Sequence, residues 1–318
     1  MKARDLVALF ALAAVWGGSF LFIRVIAPAI GPIPLAASRV ALAGMALFVV
    51  VAATRTSLGL RLRWKSFLIE GILNSAIPFV LISAAELRLT AGLAAILNAT
   101  TPLFGALVAA LWIQERLTLR KMLGLLIGLL GVVVLVGWSA LPPTLPTLLA
   151  VGASLGGALS YALAGVYAKR AFAGVAPLAT ATGQQIGAFV ALAPIALPVV
   201  AVSAPWAHLS PGVVWALFAL AIGCTAAAYI VYFYLIASAG PTPAMSVTFL
   251  VPVFGLLWGA LFLREQVTPG TFGGMAIILV GVLLVTGARL PRRARAATVD
   301  RNAGASGAEP TRAAGIAQ

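Results

Sequence analysis

The side chains that could do chemistry are few and far apart. The 318 residues include seven acidic side chains, one histidine and one cysteine. The stretch Gly152-Ala153-Ser154-Leu155-Gly156 has the spacing of a hydrolase nucleophile elbow, but that chemistry needs a strand–turn–helix setting and a base for the serine. Ser154 lies in an apolar run, and the single histidine, His208, lies in another segment. We therefore expect small-residue helix packing here and no catalytic residue.

Other catalytic and cofactor signatures are absent from the sequence. There is no phosphate-binding loop, dinucleotide fingerprint or cluster with metal-ligand spacing. The single cysteine, Cys224, cannot form an internal disulfide, and a metal site would need several soft ligands. The sequence therefore predicts no metal, no cofactor and no enzymatic activity.

The composition is that of a membrane protein. Hydrophobic residues make up 62% of the chain and charged residues 9%, whereas a soluble domain has about 25% charged residues. Apolar runs of about 20 residues, long enough to cross the hydrocarbon core, recur along the chain. The predicted spans are 6–27, 33–53, 66–85, 92–113, 119–138, 146–168, 177–201, 211–237, 242–263 and 269–288.

The basic residues predict the orientation of these spans. The net charge of +14 is carried mainly by alternate inter-span segments and by the C-terminal tail. This pattern indicates a topology signal, not nucleic-acid binding. We expect an inner (plasma) membrane protein with both termini in the cytoplasm. Residues 289–318 lack a hydrophobic period and are predicted to be a disordered basic cytoplasmic tail.

The chain contains an internal repeat. Residues Pro102–Gly137 match Pro252–Gly287 without a gap at an offset of 150 residues, and Glu115 pairs with Glu265. Shared proline, glutamate, threonine and glycine positions are not expected of two unrelated apolar segments. Five spans separate equivalent points, so the copies must enter the membrane in opposite directions. The predicted fold is an all-α membrane protein of about ten transmembrane helices, as two inverted five-helix repeats at 1–140 and 141–288.

Several short motifs in both repeats carry a family resemblance. They are Trp16-Gly17, Arg39, Thr101-Pro102-Leu103-Phe104, Val251-Pro252-Val253-Phe254, Glu115, Glu265, Gly131-Val132 and Gly281-Val282. This pattern resembles the EamA-like unit of the drug/metabolite transporter superfamily. The resemblance implies a central cavity between the halves and a secondary transporter that exports amino acids or related small metabolites by alternating access.

Other functions stay open at this point. An efflux carrier for lipophilic cations would need an accessible acidic residue such as Glu86 or Glu70. A lipid-handling membrane protein or an intramembrane enzyme would need a reactive dyad or a cavity open to lipid, and a channel is a further alternative. The expected partners are a small-molecule substrate and membrane lipid, with no nucleic acid. The oligomeric state is left open, a monomer included.

Polar and aromatic side chains within the spans are the candidates for substrate contact, because an unpaired polar group in hydrocarbon is costly. These candidates are Trp16, Asn74, Ser75, Asn98, Tyr161, Gln185 and Tyr229. Interhelical hydrogen bonding or core packing is the alternative for each of them. Pro102 and Pro252 are expected to break their helices and leave carbonyl groups facing a cavity.

Three charged residues in or near the spans have more than one interpretation. Glu86 is a candidate for proton coupling, a partner of Arg88 at the interface, or a side chain that extends to water. Arg39 either recognises an anion or, as we favour, pairs with a helix end. Glu70 is expected near the cytoplasmic surface, solvated or paired with Lys65.

Overall fold

The structure is a computed structural model that describes residues 2–139, 142, 144–203 and 209–287. Every regular element in this part of the chain is a helix. Ten helices are long and apolar enough to cross a membrane, which confirms the predicted all-helical membrane fold. In chain order they are α1 Ala3–Ile30, α2 Pro32–Thr54, α3 Leu60–Ala85, α4 Ala91–Trp112, α5 Leu119–Gly137, α6 Leu145–Ala171, α7 Pro177–Val202, α8 Pro211–Ala239, α9 Pro243–Leu263 and α10 Pro269–Thr286.

The helix ends follow backbone geometry more closely than hydropathy. Helix α3 begins at Leu60, six residues before the predicted start of its span. Its first turns carry Arg61 and Lys65, whose side chains are exposed, and a hydropathy pattern does not detect such a polar extension. Helix α1 continues through Pro28 and ends at Ile30.

Two glycines follow the ends of α1 and α8. Gly31 links α1 directly to α2 with a φ of 83°, and Gly240, with a φ of 92°, lies between α8 and a short helix, Pro241–Met245, that leads into α9. Such values are readily adopted only by glycine. A proline follows each glycine at the first helical turn, where its missing N–H costs no hydrogen bond.

The two predicted helix-breaking prolines have different settings. Helix α4 consists of the pieces Ala91–Asn98 and Thr101–Trp112, and Pro102 lies in the first turn of the second piece. In the ninth span the helix runs through Pro252. Its interruption lies earlier, at Ser246.

Glycines bring α5 and α10 into backbone contact. A Cβ atom added at Gly281 would lie 2.6 Å from Gly128 N and 2.7 Å from Gly124 O. Small residues allow this close approach, which drives helix association in lipid. The opposite side of α5 exposes large apolar side chains, Leu126 and Val133 among them. Helix α5 therefore packs through glycines and presents leucine and valine to the surroundings.

The helices of the two predicted repeats interleave. Helix α1 packs on α9, and its repeat equivalent α6 packs on α4; likewise α2 packs on α7. At the α1–α9 contact, a Cβ at Gly17 would lie 2.8 Å from Gly255 N. The described residues up to Thr286 form one compact unit. The predicted disordered tail, 289–318, lies outside the described residues.

Candidate functional site

A hydrogen-bonded chain of polar side chains crosses the bundle between three helices. The Asn74 amide on α3 donates to Gln184 Oε1 on α7 at 3.1 Å. The Gln184 amide in turn donates to the Tyr229 hydroxyl on α8 at 2.8 Å. Two predicted site residues, Asn74 and Tyr229, are therefore joined through Gln184. The neighbouring Gln185 is fully buried, and neither of its amide atoms has a hydrogen-bond partner among the described residues.

A guanidinium group lies close to this chain. Arg39 on α2 is 7% exposed. Its Nε donates to Thr225 Oγ1 on α8 at 2.9 Å, and its Cζ lies 3.7 Å from the centre of the Phe79 ring on α3. The Thr225 hydroxyl itself donates to the Leu220 carbonyl. The expected bond from Arg39 to a helix end is absent within the described chain, so the sequence interpretation that we favoured is wrong.

Two π-helical segments position Asn74 of the polar chain and Thr225, the hydrogen-bond partner of Arg39. Ile72–Ala76 lies in α3 and carries Asn74 and Ser75, while Ala219–Ala227 lies in α8 and carries Thr225. Thr225 is the repeat equivalent of Ser75 at the offset of 150 residues. Ser75 is fully buried, with no hydrogen-bond partner in the described part of the chain. Short π segments within α-helices are frequent at functional sites because they re-aim side chains.

The remaining predicted site residues differ in how they relate to the polar chain and to Arg39. Tyr161 is half-buried between two hydrophobic clusters, one of which contains Phe79. Trp16 packs against Tyr232 with the two rings tilted by 48° and their centres 5.3 Å apart. Asn98 lies at the end of the first piece of α4, and its buried Oδ1 atom has no partner in the described structure. The structure links Trp16 and Asn98 to neither Arg39 nor Gln184 by a hydrogen bond.

Glu86 ends α3 with a fully buried carboxyl group. Neither of its carboxyl oxygens has a partner among the described residues, and the expected pair with Arg88 is not formed there. Arg24 on α1 instead donates to the Glu86 backbone carbonyl. Burial raises the pKa of Glu86 well above its usual range, and the charge of Glu265 adds to this, while Arg24 and Arg39 oppose it.

Glu265 caps the N-terminus of α4 from the loop before α10. Its Oε1 accepts from Ala91 N at 2.7 Å and its Oε2 from Gly92 N at 3.1 Å. A carboxylate at a helix N-terminus is favoured by the unpaired N–H groups and the helix dipole. We call this contact the Glu265 cap. An open cleft of about 540 Å³ borders it, lined by Arg24, Val25, Pro28, Leu87, Thr90, Leu263 and Glu265.

The equivalent glutamate of the first repeat has a different environment. The Glu115 side chain is 52% exposed and forms an ion pair with Lys121 Nζ at 2.5 Å. The hydrogen bond from Lys121 lowers the pKa of Glu115. The two backbone turns are nevertheless alike, because Gln114 and Arg264, 150 residues apart, have φ values of 55° and 54°. The same turn therefore places Glu265 on a helix end and leaves Glu115 exposed at the surface.

Glu70 departs from its expected setting. It is 3% exposed, and its Oε2 atom has no hydrogen-bond partner among the described residues. No ion pair with Lys65 occurs within the described chain. The adjacent Gly71 packs against the α7 backbone near Gln184 and Ala188, which explains the burial. Glu70 lies one helical turn before Asn74 and therefore borders the hydrogen-bonded chain of Asn74, Gln184 and Tyr229.

The stretch Gly152–Gly156 lies inside a helix and not at a strand–turn–helix junction. Ser154 is fully buried within α6, and its hydroxyl has no partner in the described structure. Cys224 is a buried free thiol. The described residues contain no group of three metal-ligating side chains.

Comparison with known proteins agrees with this architecture. The protein "Uncharacterized transporter YvbV" of Bacillus subtilis (strain 168) is 24% identical over 313 residues, covering 95% of this chain and 98% of the relative. The "Probable terminal-alkyne amino-acid exporter" of Streptantibioticus cattleyicolor is 26% identical over 299 residues, covering 92% and 97%. A solved crystal structure that is 20% identical matches with a TM-score of 0.62 over 90% of this chain and 97% of that chain.

The family comparison covers nearly the whole described chain. The pattern described as "EamA-like transporter family" matches twice, at residues 5–137 and 148–287. Each match contains five of the ten helices. The chain therefore belongs to the EamA-like transporter family, of the drug/metabolite transporter type.

Proposed function

We propose that the protein is a secondary transporter that exports amino acids or related small metabolites by alternating access. The observation that carries this proposal is the hydrogen-bonded chain Asn74–Gln184–Tyr229. It joins helices of both repeats within the apolar bundle, where polar groups are costly unless they serve packing or substrate. The predicted contacts at Trp16, Ser75, Asn98, Tyr161 and Gln185 extend the site around this chain.

Asymmetry between the repeats supports alternating access. An inverted repeat in one conformational state has one end closed and the other open, so equivalent residues differ in environment. The Glu265 cap joins the α9–α10 loop to α4, whereas Glu115 makes no such contact with a helix end in the described chain. With both termini in the cytoplasm, as the basic residues favour, the Glu265 cap lies at the outer end, and we propose that it holds α4 and the α9–α10 loop together there in this state.

Glu86 is the residue that we propose for proton coupling. Its carboxyl group is fully buried beside the Glu265 cap and has no hydrogen-bond partner among the described residues. A carboxyl that is neutral in one state and ionised in the other can link proton binding to conformational change. Inward proton flow would then drive export.

Amino acids fit the site better than lipophilic cations. A relative is named as a probable amino-acid exporter, and the polar chain offers both donors and acceptors. The buried guanidinium of Arg39 would repel a cationic solute. An enzymatic function has no reactive dyad to support it within the described residues.

Transport by purified protein in proteoliposomes tests the proposal. We expect counterflow of radiolabelled amino acids above empty vesicles, and lower rates for Gln184→Leu, which breaks both hydrogen bonds of the chain. Ser154→Ala is the matched control, because Ser154 is buried but makes no hydrogen bond in the described structure. Efflux of lipophilic cations without amino-acid counterflow would reject the proposal, as would unchanged rates in Gln184→Leu.

A further inference from the structure

The Arg39 guanidinium has unused hydrogen-bonding capacity. A guanidinium carries five N–H donors, and only the Nε donor forms a hydrogen bond to a described residue, Thr225. No described carboxylate forms an ion pair with Arg39. The Phe79 ring covers its plane at 3.7 Å, a contact that favours a cation but satisfies no N–H group. The four N–H donors on the two Nη atoms are thus free to bind an anion.

The groups facing Arg39 do not supply its counter-ion. The side chains that interact electrostatically with Arg39 are Tyr161, Cys224, Tyr229 and Glu86. The first three side chains are neutral near pH 7 by their ordinary chemistry. Burial raises the pKa of Glu86 well above its usual range and disfavours its charge. A buried cation without a counter-ion is costly. This cost indicates that Arg39 binds an anion that is present only part of the time.

Only one repeat supplies this cation. Its counterpart helix in the other repeat, α7, spans Pro177–Val202 and contains no arginine or lysine. Structural pairing within a duplicated unit would be expected in both copies. An arginine that binds the solute is needed in only one repeat, because one solute crosses at a time.

We propose that Arg39 binds the carboxylate of the transported solute. The two Nη groups can bind both carboxylate oxygens in parallel, while Phe79 and Thr225 hold the guanidinium in place. This inference rests on the proposed function and defines the substrate class: small carboxylic acids, α-amino acids included, but not amines or amides of the same shape. The Tyr229 hydroxyl and the Asn74–Gln184 amides lie on neighbouring helices to accept the ammonium group of an amino acid.

The test compares solutes that differ only in the carboxylate. Proteoliposomes containing the full chain are assayed with L-leucine and L-phenylalanine, with their amides, and with isoamylamine and phenethylamine. The wild type should prefer each acid over its amide by about 30-fold in KM or more. Arg39→Gln should lose this preference, and Arg39→Lys should retain part of it, because a lysine keeps the charge without the paired donors.

Thr225→Val provides a second variant that leaves the guanidinium in place. It removes the Nε partner and should lower the acid-to-amide preference less than Arg39→Gln does. If wild-type protein transports acids and amides equally well, the inference fails while the proposed function stands. If Arg39→Gln keeps the wild-type preference, the inference fails as well. Transport of none of the acids by wild-type protein removes the proposed function and the inference together. The wild-type comparison decides even if Arg39→Gln does not fold.

Discussion

Replacing Glu265 by glutamine should open the end of the bundle where the Glu265 cap lies. The carboxylate accepts one hydrogen bond on each oxygen, from Ala91 N at 2.7 Å and from Gly92 N at 3.1 Å. A glutamine side chain keeps one acceptor oxygen but turns its NH₂ group toward the other backbone N–H. The substitution therefore removes one hydrogen bond and the negative charge at the helix N-terminus.

The magnitude follows from these two losses. A hydrogen bond to a charged group contributes about 1.5–3 kcal/mol, and a charge at a helix N-terminus about 0.3–1 kcal/mol. Glu265 is half-buried, so the lower ends of both ranges apply and sum to about 2 kcal/mol. A difference of that size changes the ratio of open to closed protein by about 30-fold.

Cysteine labelling measures this ratio. Ala95 is fully buried on α4, and a Cβ at Gly255 would contact it. An Ala95→Cys protein with Cys224→Ala should react slowly with a polar maleimide in detergent. Glu265→Gln should raise that rate by about 30-fold, since labelling follows the open population. Glu115→Gln is the matched control, because Glu115 pairs with Lys121 at the surface. An unchanged rate, or an equal rise in the control, would refute the role of the cap.

Three further predictions concern the pH response, helix packing and the break in α4. Burial raises the pKa of Glu86, so the folded chain keeps a proton that the unfolded chain loses as pH rises, and the stability of the fold decreases. Glu86→Gln should therefore raise the unfolding midpoint more at about pH 8 than at about pH 5. Equal shifts at the two pH values would contradict this prediction. Gly281→Leu should destabilise the fold by about 3 kcal/mol or more, measured by thermal unfolding in detergent, whereas Gly137→Leu should not, since a Cβ there meets nothing within 4 Å. Pro102→Ala should let the two pieces of α4 join and lower proteoliposome transport severalfold with insertion intact; wild-type rates would count against it.

Hydropathy predicts the spans well because lipid imposes one length on every helix. It does not indicate which of Gln184 and Gln185, adjacent in an apolar run, faces the bundle, and of the two we named only Gln185 as a candidate. Gln184 joins the hydrogen-bonded chain while Gln185 has no partner in the described structure. The choice depends on which side of α7 faces α3 and α8, and that is tertiary information.

Long-range partners were also beyond prediction from the sequence. The Thr225 partner of Arg39 lies 186 residues away, on a π segment whose altered hydrogen bonding leaves no hydropathy signal. Glu70 was expected near the cytoplasmic surface, solvated or paired with Lys65. Packing of Gly71 against the α7 backbone buries it instead.

The glycine contact between α5 and α10 limits how far the two repeats can diverge. On α5, Gly124 lies near Gly281 of α10 and Gly131 lies near Gly274, so each glycine faces the counterpart of the other. A larger residue on either helix would press against the backbone of its own duplicate, so neither copy can change alone. Such packing favours glycine at matching positions of both repeats. The similarity between 102–137 and 252–287 that is visible in the sequence therefore includes the surface where α5 and α10 pack against each other.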